Sequence, residues 1–561
     1  MDRVRYRRLA WIFVGFLIVL AALTWRLNEI QIRQHAVYAP AKLSQNTVEV
    51  SMEPVPRGLI LDRNLVDLTG KRIALRIVVI PQLIEEPGKL AAGLSEIMGV
   101  EDDEIHGYLK NPGILPYAVS QAQKRSILTR GWTGVGVLPV TFRYGERPLA
   151  THTVGHLGPC TGADNEPISR DGSCCEPGEL VGKSGVERLY QTALRGSSPG
   201  AVVRVFLDAR GRPLPGLGLV VEAGAVDDGR HDVRMTLDLR IQQIVEEVAD
   251  EEIESGAVVV MDVTSGDILA LASRPHYHPE RVGEYLASGT ADVFNNQALA
   301  LFQPGSIFKI VVAAAALEEG LVTPETTFDC TGHGDELVKC WLPEGHGSLS
   351  FAEAFAVSCN PVFARLALEL GGGKLAEYAK RFRLDNQEVI GYRTTPDGRQ
   401  DFGLIERPFN LVNAGVGQGP VLLSPVQITA LVASIGRDGI YINPRLVSET
   451  RHRNQAVETF PAGTPERIMT AQTARTLAEL MGLVTIDGQG AKAFVPEWGS
   501  AGKTGTAQVG GGTNNAWFSG YFPVTDPRYA VTVLVRGDGS GGETAAPIFR
   551  SIAERTIIEL P

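Results

Sequence analysis

Ala257-Val-Val-Val-Met-Asp262 and Asp267-Ile-Leu-Ala-Leu-Ala-Ser273 stand on either side of a Thr-Ser-Gly turn, Thr264 to Gly266. Two short apolar runs around such a turn predict a β-hairpin. Just upstream, Thr236-Leu-Asp238 precedes a run with Ile241, Ile244, Val245 and Val248 on one helical face, which predicts an amphipathic helix through about Glu252. Toward the C-terminus, residues 500–508, 515–522 and 529–536 read as three more strands, and Pro547 to Ile558 as a last amphipathic helix. Two strands from early in the segment and three from its end, with helices between, predict one antiparallel sheet faced by helices. The fold class is α+β.

The 561 residues exceed one compact core, and the formal net charge of -11 supplies no basic face for nucleic acid. The N-terminus is the exception. Arg3, Arg5, Arg7 and Arg8 precede an uncharged apolar run from Leu9 to Trp25. As a helix this run spans about 25 Å at roughly 1.5 Å per residue, membrane length if flanking residues such as Arg26 snorkel. It continues into Leu23, Trp25 and Leu27 without a small-x-small cleavage site, so it reads as an uncleaved anchor. The basic residues before it predict a cytoplasmic N-terminus and an extracytoplasmic remainder. The expected division is a basic tail over 1–8, an anchor over 9–26, a mixed extracytoplasmic pedestal domain over 27–235 and the α+β domain over 236–561.

Six cysteines are compatible with an oxidising location. Cys174 and Cys175 are adjacent and cannot comfortably bond each other, so one of them is expected to pair with Cys160. For Cys330 and Cys340 a disulfide is the leading reading. His333 and His346 interleave with them, which makes a zinc site conceivable, but the spacing matches no common ligand pattern and no metal is assigned; free thiols are the further alternative.

Three short signals inside the α+β segment carry chemistry. Pro304-Gly305 is a turn, and Ser306 opens a run of helix formers ending at Gly320. Lys309 is one turn up the same face, within expected reach of the Ser306 hydroxyl. Its neighbours Ile307, Phe308, Ile310, Val311 and Val312 favour a neutral amine, which can accept the serine proton. Ser350 with Glu353 forms a capping box, and Pro361 suits the first turn of a second helix, so Ser358-Cys-Asn360 lies at a break that can aim two polar side chains into a cleft. Ser358 would relay a proton and Asn360 hold a substrate amide. In Gly502-Lys-Thr-Gly-Thr506, glycine within a strand marks close approach of another backbone, here read as a peptide substrate. Lys503 would supply positive charge, Thr504 and Thr506 hydroxyls for a carboxylate, and the Thr506 amide an oxyanion donor beside that of Ser306. Taken singly, a capped helix with a snorkelling lysine, an Asn N-cap and an edge strand would explain the three signals. Together they describe acyl transfer on a serine.

The three signals in this order resemble the penicilloyl serine transferases. Phe302-Gln-Pro-Gly-Ser-Ile-Phe-Lys309, Gly417-Gln-Gly419 followed by Ser424-Pro425-Val-Gln427, and Ala516-Trp-Phe-Ser-Gly-Tyr521 are similar to class B penicillin-binding proteins. So are Arg57-Gly58 with Asp62-Arg63-Asn64, Gly185-Val-Glu187 and the single anchor. The resemblance covers most of the chain and is weakest between about 70 and 150. It implies Ser306 as acylated nucleophile, Lys309 as base, Ser358 and Asn360 as second motif, and Lys503, Thr504, Gly505 and Thr506 as third. It further implies D,D-transpeptidation of D-alanyl-D-alanine stem peptides, inhibition by β-lactams, no cofactor, attachment to the cytoplasmic membrane and a membrane-embedded glycan polymerase as partner. A monofunctional enzyme is expected, since no glycosyltransferase-like segment separates anchor and catalytic domain. A β-lactamase or D,D-carboxypeptidase is the rival enzyme reading. A non-catalytic sensor or scaffold is the rival from another class.

The Arg57 to Asn64 and Gly182 to Tyr190 segments have no catalytic spacing. They read as structural ion pairs between sub-domains.

Overall fold

The protein is described by a computed structural model. It describes residues 2–34, 47–52, 56–161, 175, 179–196, 200–208, 212, 219–222, 227, 229–386, 388–389, 392–393, 400–453, 455–510 and 512–560. An apolar helix α1 (Asp2–Asn28), continued by a π-helical turn over Glu29–Arg33, is long and apolar enough to cross a membrane. Its large side chains, Trp11, Phe13, Phe16 and Trp25 among them, are exposed along the whole length, as a membrane-anchored protein requires.

The chain divides into two compact units that do not follow chain order: residues 1–56, 72–142 and 198–227 form one, and 57–71, 143–197 and 228–561 the other. In the smaller unit, strand Arg72–Val79 pairs antiparallel with Gly113–Ala118 and with Val135–Phe142. The helix Pro87–Met98 contributes Leu90, Ala91 and Leu94 to a core with Ile77, Val79 and Val137. A second small sheet orders Thr47–Ser51, Val202–Phe206 and Leu219–Glu222.

In the larger unit the expected sheet is present. Strands β1 (Gly256–Asp262), β2 (Ile268–Arg274), β3 (Ala501–Gln508), β4 (Asn514–Phe522) and β5 (Tyr529–Gly537) lie in the order β2-β1-β5-β4-β3, every neighbouring pair antiparallel. Both faces are covered, which is why Ala257 to Met261 is apolar at every position rather than at alternate ones. Val258 and Val260 enter a core with Ile241, Val245 and Val248 of α2 (Leu239–Glu252), capped by the Asp238 carboxylate, which accepts from the Arg240 amide at 3.1 Å. The last helix, Ala546–Glu559, adds Phe549 and Ile552 to the same layer. Val259 and Met261 face the opposite layer, shared with the α3 helix (Lys309–Glu318), α4 (Phe351–Ala356), α5 (Asn360–Leu370), α6 (Pro425–Gly436) and α7 (Ala471–Ile486).

Two segments of the expected 27–235 pedestal pack into this larger unit. Ile60, Leu68, Val186 and Leu194 join its main core. Arg57 Nε donates to Glu187 Oε2 and Arg143 Nε to Glu187 Oε1, both at 2.8 Å, with all three side chains nearly inaccessible. The two guanidiniums hold the Glu187 carboxyl below its ordinary value against the opposing effect of burial. The ion-pair reading of these segments thus holds, with the pairs inside one compact unit rather than between two. Glu187→Ala leaves two buried arginines without a counter-charge, so chemical denaturation should show a loss of about 3–5 kcal/mol. A loss below about 1 kcal/mol would contradict that role.

Candidate active site

The nucleophile's turn differs in form from the helix expected. Gly305–Phe308 is a 3-10 turn, and the α-helix proper begins at Lys309. In a 3-10 turn positions i and i+3 eclipse, which stacks Lys309 over Ser306. Ser306 is half-buried and Lys309 wholly buried.

The lysine amine is engaged with the second motif. Lys309 Nζ donates to Ser358 O at 2.9 Å and Asn360 Oδ1 at 2.8 Å, and lies 3.2 Å from Ser358 Oγ. Among the described residues its hydrogen bonds run to Ser358 and Asn360, with none to Ser306. A neutral amine has two N–H donors and one lone pair, and the three partners match: two oxygens that only accept, and a hydroxyl that can donate. Burial lowers the Lys309 pKa to about 7, partly opposed by the nearby Cys359 and Cys340. Acylation that needs the neutral amine should therefore rise with pH through about 7 and level off above it, as stopped-flow penicillin acylation from about pH 5 to 9 would record. A flat profile would contradict the assignment.

The capping box of α4 is present, with the Ser350 hydroxyl accepting from the Glu353 amide and the Glu353 carboxylate accepting from the Ser350 amide. Two residues beyond the end of α4 comes Ser358, whose φ of 57° is left-handed. A non-glycine residue there stores strain of about 1–3 kcal/mol, held by its surroundings. Asn360 is the first helical residue of α5, preceding Pro361, so it is not the N-cap. Its Oδ1 serves Lys309, and its Nδ2 reaches Lys339 O at 3.4 Å.

Lys503 on β3 is wholly buried, its Nζ donating to Thr504 O at 3.3 Å and lying 5.7 Å from the centre of the Phe355 ring. Burial first, and Lys309 second, push its pKa well down. Thr504 is buried and Thr506 exposed; the Thr506 hydroxyl accepts from the Gly541 amide at 3.1 Å.

The glycines of β3 do not make room for a foreign backbone. A Cβ at Gly505 would stand 2.6 Å from Pro304 O, and one at Gly502 2.4 Å from the Phe518 ring. The close neighbour at Gly505 is the chain's own nucleophile turn. That turn is braced again at Gly417, where φ is 74°, a Cβ would meet Gly305 O at 1.8 Å, and the carbonyl accepts from the Gly305 amide at 3.0 Å. Trp517 Nε1 donates to Gln303 O at 3.1 Å on the approach. Gly417 and Trp517 hold the turn that carries Ser306 through Gly305 and Gln303, and only the pattern around Gly417-Gln-Gly419 and Ala516 to Tyr521 signalled them.

Cys160 pairs with Cys175, within the alternatives expected; Cys174 lies outside the described residues. Cys330 and Cys340 are not joined. The expected disulfide gives way to a cluster in which Cys330, Cys340, Cys359 and His346 bring their ligand atoms within 4.8 Å of one another. Cys359 is the middle residue of the second motif, which spacing around Cys330 and Cys340 alone could not reveal. His333 is not a member.

A buried lysine one turn from a serine, joined to a second serine and backed by a lysine strand, defines a serine acyltransferase. Comparison with known proteins gives the family. Residues 256–554 match the penicillin-binding protein transpeptidase domain, and residues 52–218 the penicillin-binding protein dimerisation domain. Stage V sporulation protein D of Bacillus subtilis is 27% identical over 99% of this chain and 86% of its own length. Peptidoglycan D,D-transpeptidase MrdA of Salmonella typhimurium is 24% identical over 99% of this chain and 96% of its own. A solved chain from a peptidoglycan synthase complex superposes with a TM-score of 0.70, at 25% identity, covering 98% of each chain. The chain belongs to the penicillin-binding protein transpeptidase family, as a class B member.

Proposed function

We propose that this class B penicillin-binding protein cross-links peptidoglycan stem peptides through an acyl-enzyme on Ser306. The observation that carries the reading is the buried Lys309 amine, three residues after Ser306, with no carboxylate partner among the described residues and bonded to Ser358 and Asn360. Ser306 Oγ attacks the carbonyl of the penultimate D-alanine as neutral Lys309 removes its proton, directly or through Ser358. The amides of Ser306 and Thr506 take the developing oxyanion. Ser358 delivers the proton to the departing D-alanine amine. An amine of a neighbouring stem then attacks the acyl-enzyme, and Ser306 is released with its proton restored.

Lys503 becomes charged as the terminal carboxylate of the donor peptide enters, with the Thr504 and Thr506 hydroxyls completing the anion site and Gly505 keeping the strand against the nucleophile turn. β-Lactams acylate Ser306 because their ring amide and carboxylate present the same pair of groups. The reading is supported by the family match and by relatives named peptidoglycan D,D-transpeptidases. The basic residues Arg3, Arg5, Arg7 and Arg8, ahead of the apolar stretch of α1, support a cytoplasmic N-terminus with the remainder outside. The division at 26 and 235 is kept as a division of labour between anchor, pedestal and catalytic domain. A glycan polymerase in the membrane is the proposed partner, supported by the likeness to a chain of a peptidoglycan synthase complex.

A donor stem pentapeptide supplied with an excess of an amine acceptor tests the reaction. Covalent peptide product, with D-alanine released in equal amount, is expected; release of D-alanine with water as sole acceptor would favour the carboxypeptidase.

A further inference from the structure

A cavity of about 570 Å³ opens on the larger unit, between residues 186–193 and 444–460. Leu189 and Phe460 form part of its apolar wall, and the Tyr190 ring meets the Phe460 ring edge-on at 5.8 Å. Tyr190, Thr450 and Glu458 line it too, and among the described residues their side chains have no hydrogen-bond or ion-pair partner. Arg445 is the one cation lining the cavity among the described residues, and Asp267 already holds it through two hydrogen bonds, at 2.6 and 2.8 Å. The uncompensated charge at this cavity is therefore negative. Burial, with the Glu458 charge second, raises the Tyr190 pKa to about 12, so that hydroxyl keeps its proton.

Glu458 also stands on an open sheet edge. Gln455–Thr459 is the outermost strand of a four-stranded sheet, paired only with Val447–His452 among the described residues, and all five of its residues are exposed. The ladder sets which backbone groups look outward. The Phe460 amide donates to Ser448 O at 2.8 Å, so Phe460 and, two residues back, Glu458 turn their backbone groups inward, while Thr459 turns its amide and carbonyl out. Glu458 is directly opposite Thr450, and both line the cavity, so this cross-strand row points into it. A strand added outside would place its own residue third in that row. That residue would form a non-hydrogen-bonded pair with Glu458, in which Cα atoms stand about 4.5 Å apart and side chains are closest.

We propose that this edge and cavity bind an extended, basic segment of a partner protein, which adds a strand beside Gln455–Thr459 and sets a basic side chain against Glu458. The segment pairs its backbone with the outward amide and carbonyl of Thr459, in the manner of strand addition to a sheet edge. Its cationic head meets the Glu458 carboxylate, and its methylene stem lies along Leu189 and Phe460. An acidic residue in the same place would oppose Glu458, and an apolar one would cover the carboxylate without pairing it, so charge selects the segment.

The test uses the full chain purified in detergent and surface-coupled hexapeptides of alternating threonine and valine that carry lysine, glutamine or glutamate at one central position. The lysine peptide should bind roughly tenfold more tightly than the glutamate peptide, with the glutamine peptide between them. Glu458→Gln should bring all three to within about twofold of one another. Thr459→Pro removes the outward amide without removing a ladder bond of the hairpin, and should abolish binding of all three. Both variants should keep the parent's thermal unfolding transition, since the changes lie on an exposed edge. No binding of the lysine peptide by the parent chain, or equal binding of the lysine and glutamate peptides, would overturn the proposal. Lysine-selective binding that survives Thr459→Pro would leave a cation pocket without strand addition and overturn it as well.

Discussion

Ser306→Ala should abolish covalent labelling by fluorescent penicillin while leaving the thermal unfolding transition near that of the parent protein. The side chain is half-buried, and its replacement removes one hydroxyl from the 3-10 turn over Gly305–Phe308. The turn itself is held by backbone contacts that the change does not touch: the Gly305 amide donates to Gly417 O, and the Ile307 amide to Pro304 O. Small surface-side deletions of this kind cost about 0.5 kcal/mol or less. Lost labelling in a folded protein therefore reads directly on chemistry. Labelling that persists in the variant would remove Ser306 from the nucleophile's role.

Lys309→Ala should slow acylation by about 10²–10⁴-fold, the usual contribution of a positioned base. The change removes an amine that three oxygens surround, so Ser358 O and Asn360 Oδ1 each lose a donor inside the protein. Lys309→Arg should not restore the rate. A guanidinium stays protonated and is too broad for a site enclosed by Phe363 and the Ser358 turn, so it offers no lone pair to the serine proton. A loss of only a few-fold in Lys309→Ala, at unchanged stability, would mean that the lysine merely packs.

The sheet and its flanking helices were legible because their signals are local. Asp238 caps α2, Ser350 and Glu353 form their box, and the runs on either side of Thr264 to Gly266 mark a hairpin. The three short motifs stood out for a different reason, their family resemblance. What escaped was set by meetings between distant segments. Gly505 seemed to await a substrate, but the backbone that approaches it belongs to Pro304. Lys309 was read toward Ser306 along the helix, while its hydrogen bonds run to Ser358 and Asn360, about fifty residues on. Cys330 and Cys340 looked like a pair because nothing in their spacing announces Cys359. The two compact units likewise cut across the chain, since residues 57–71 and 143–197 carry the Arg57, Arg143 and Glu187 group that packs with the catalytic segment's unit.

The central claim is that Ser306 becomes acylated and holds its acyl group until an amine arrives. Intact-mass analysis of the penicillin-treated chain, followed by peptide mapping of the adduct after a chase without drug, tests it most directly. The account predicts a single adduct on the peptide containing Ser306 that persists through the chase. An adduct mapped to another residue, or one hydrolysed within seconds of the chase, would contradict it.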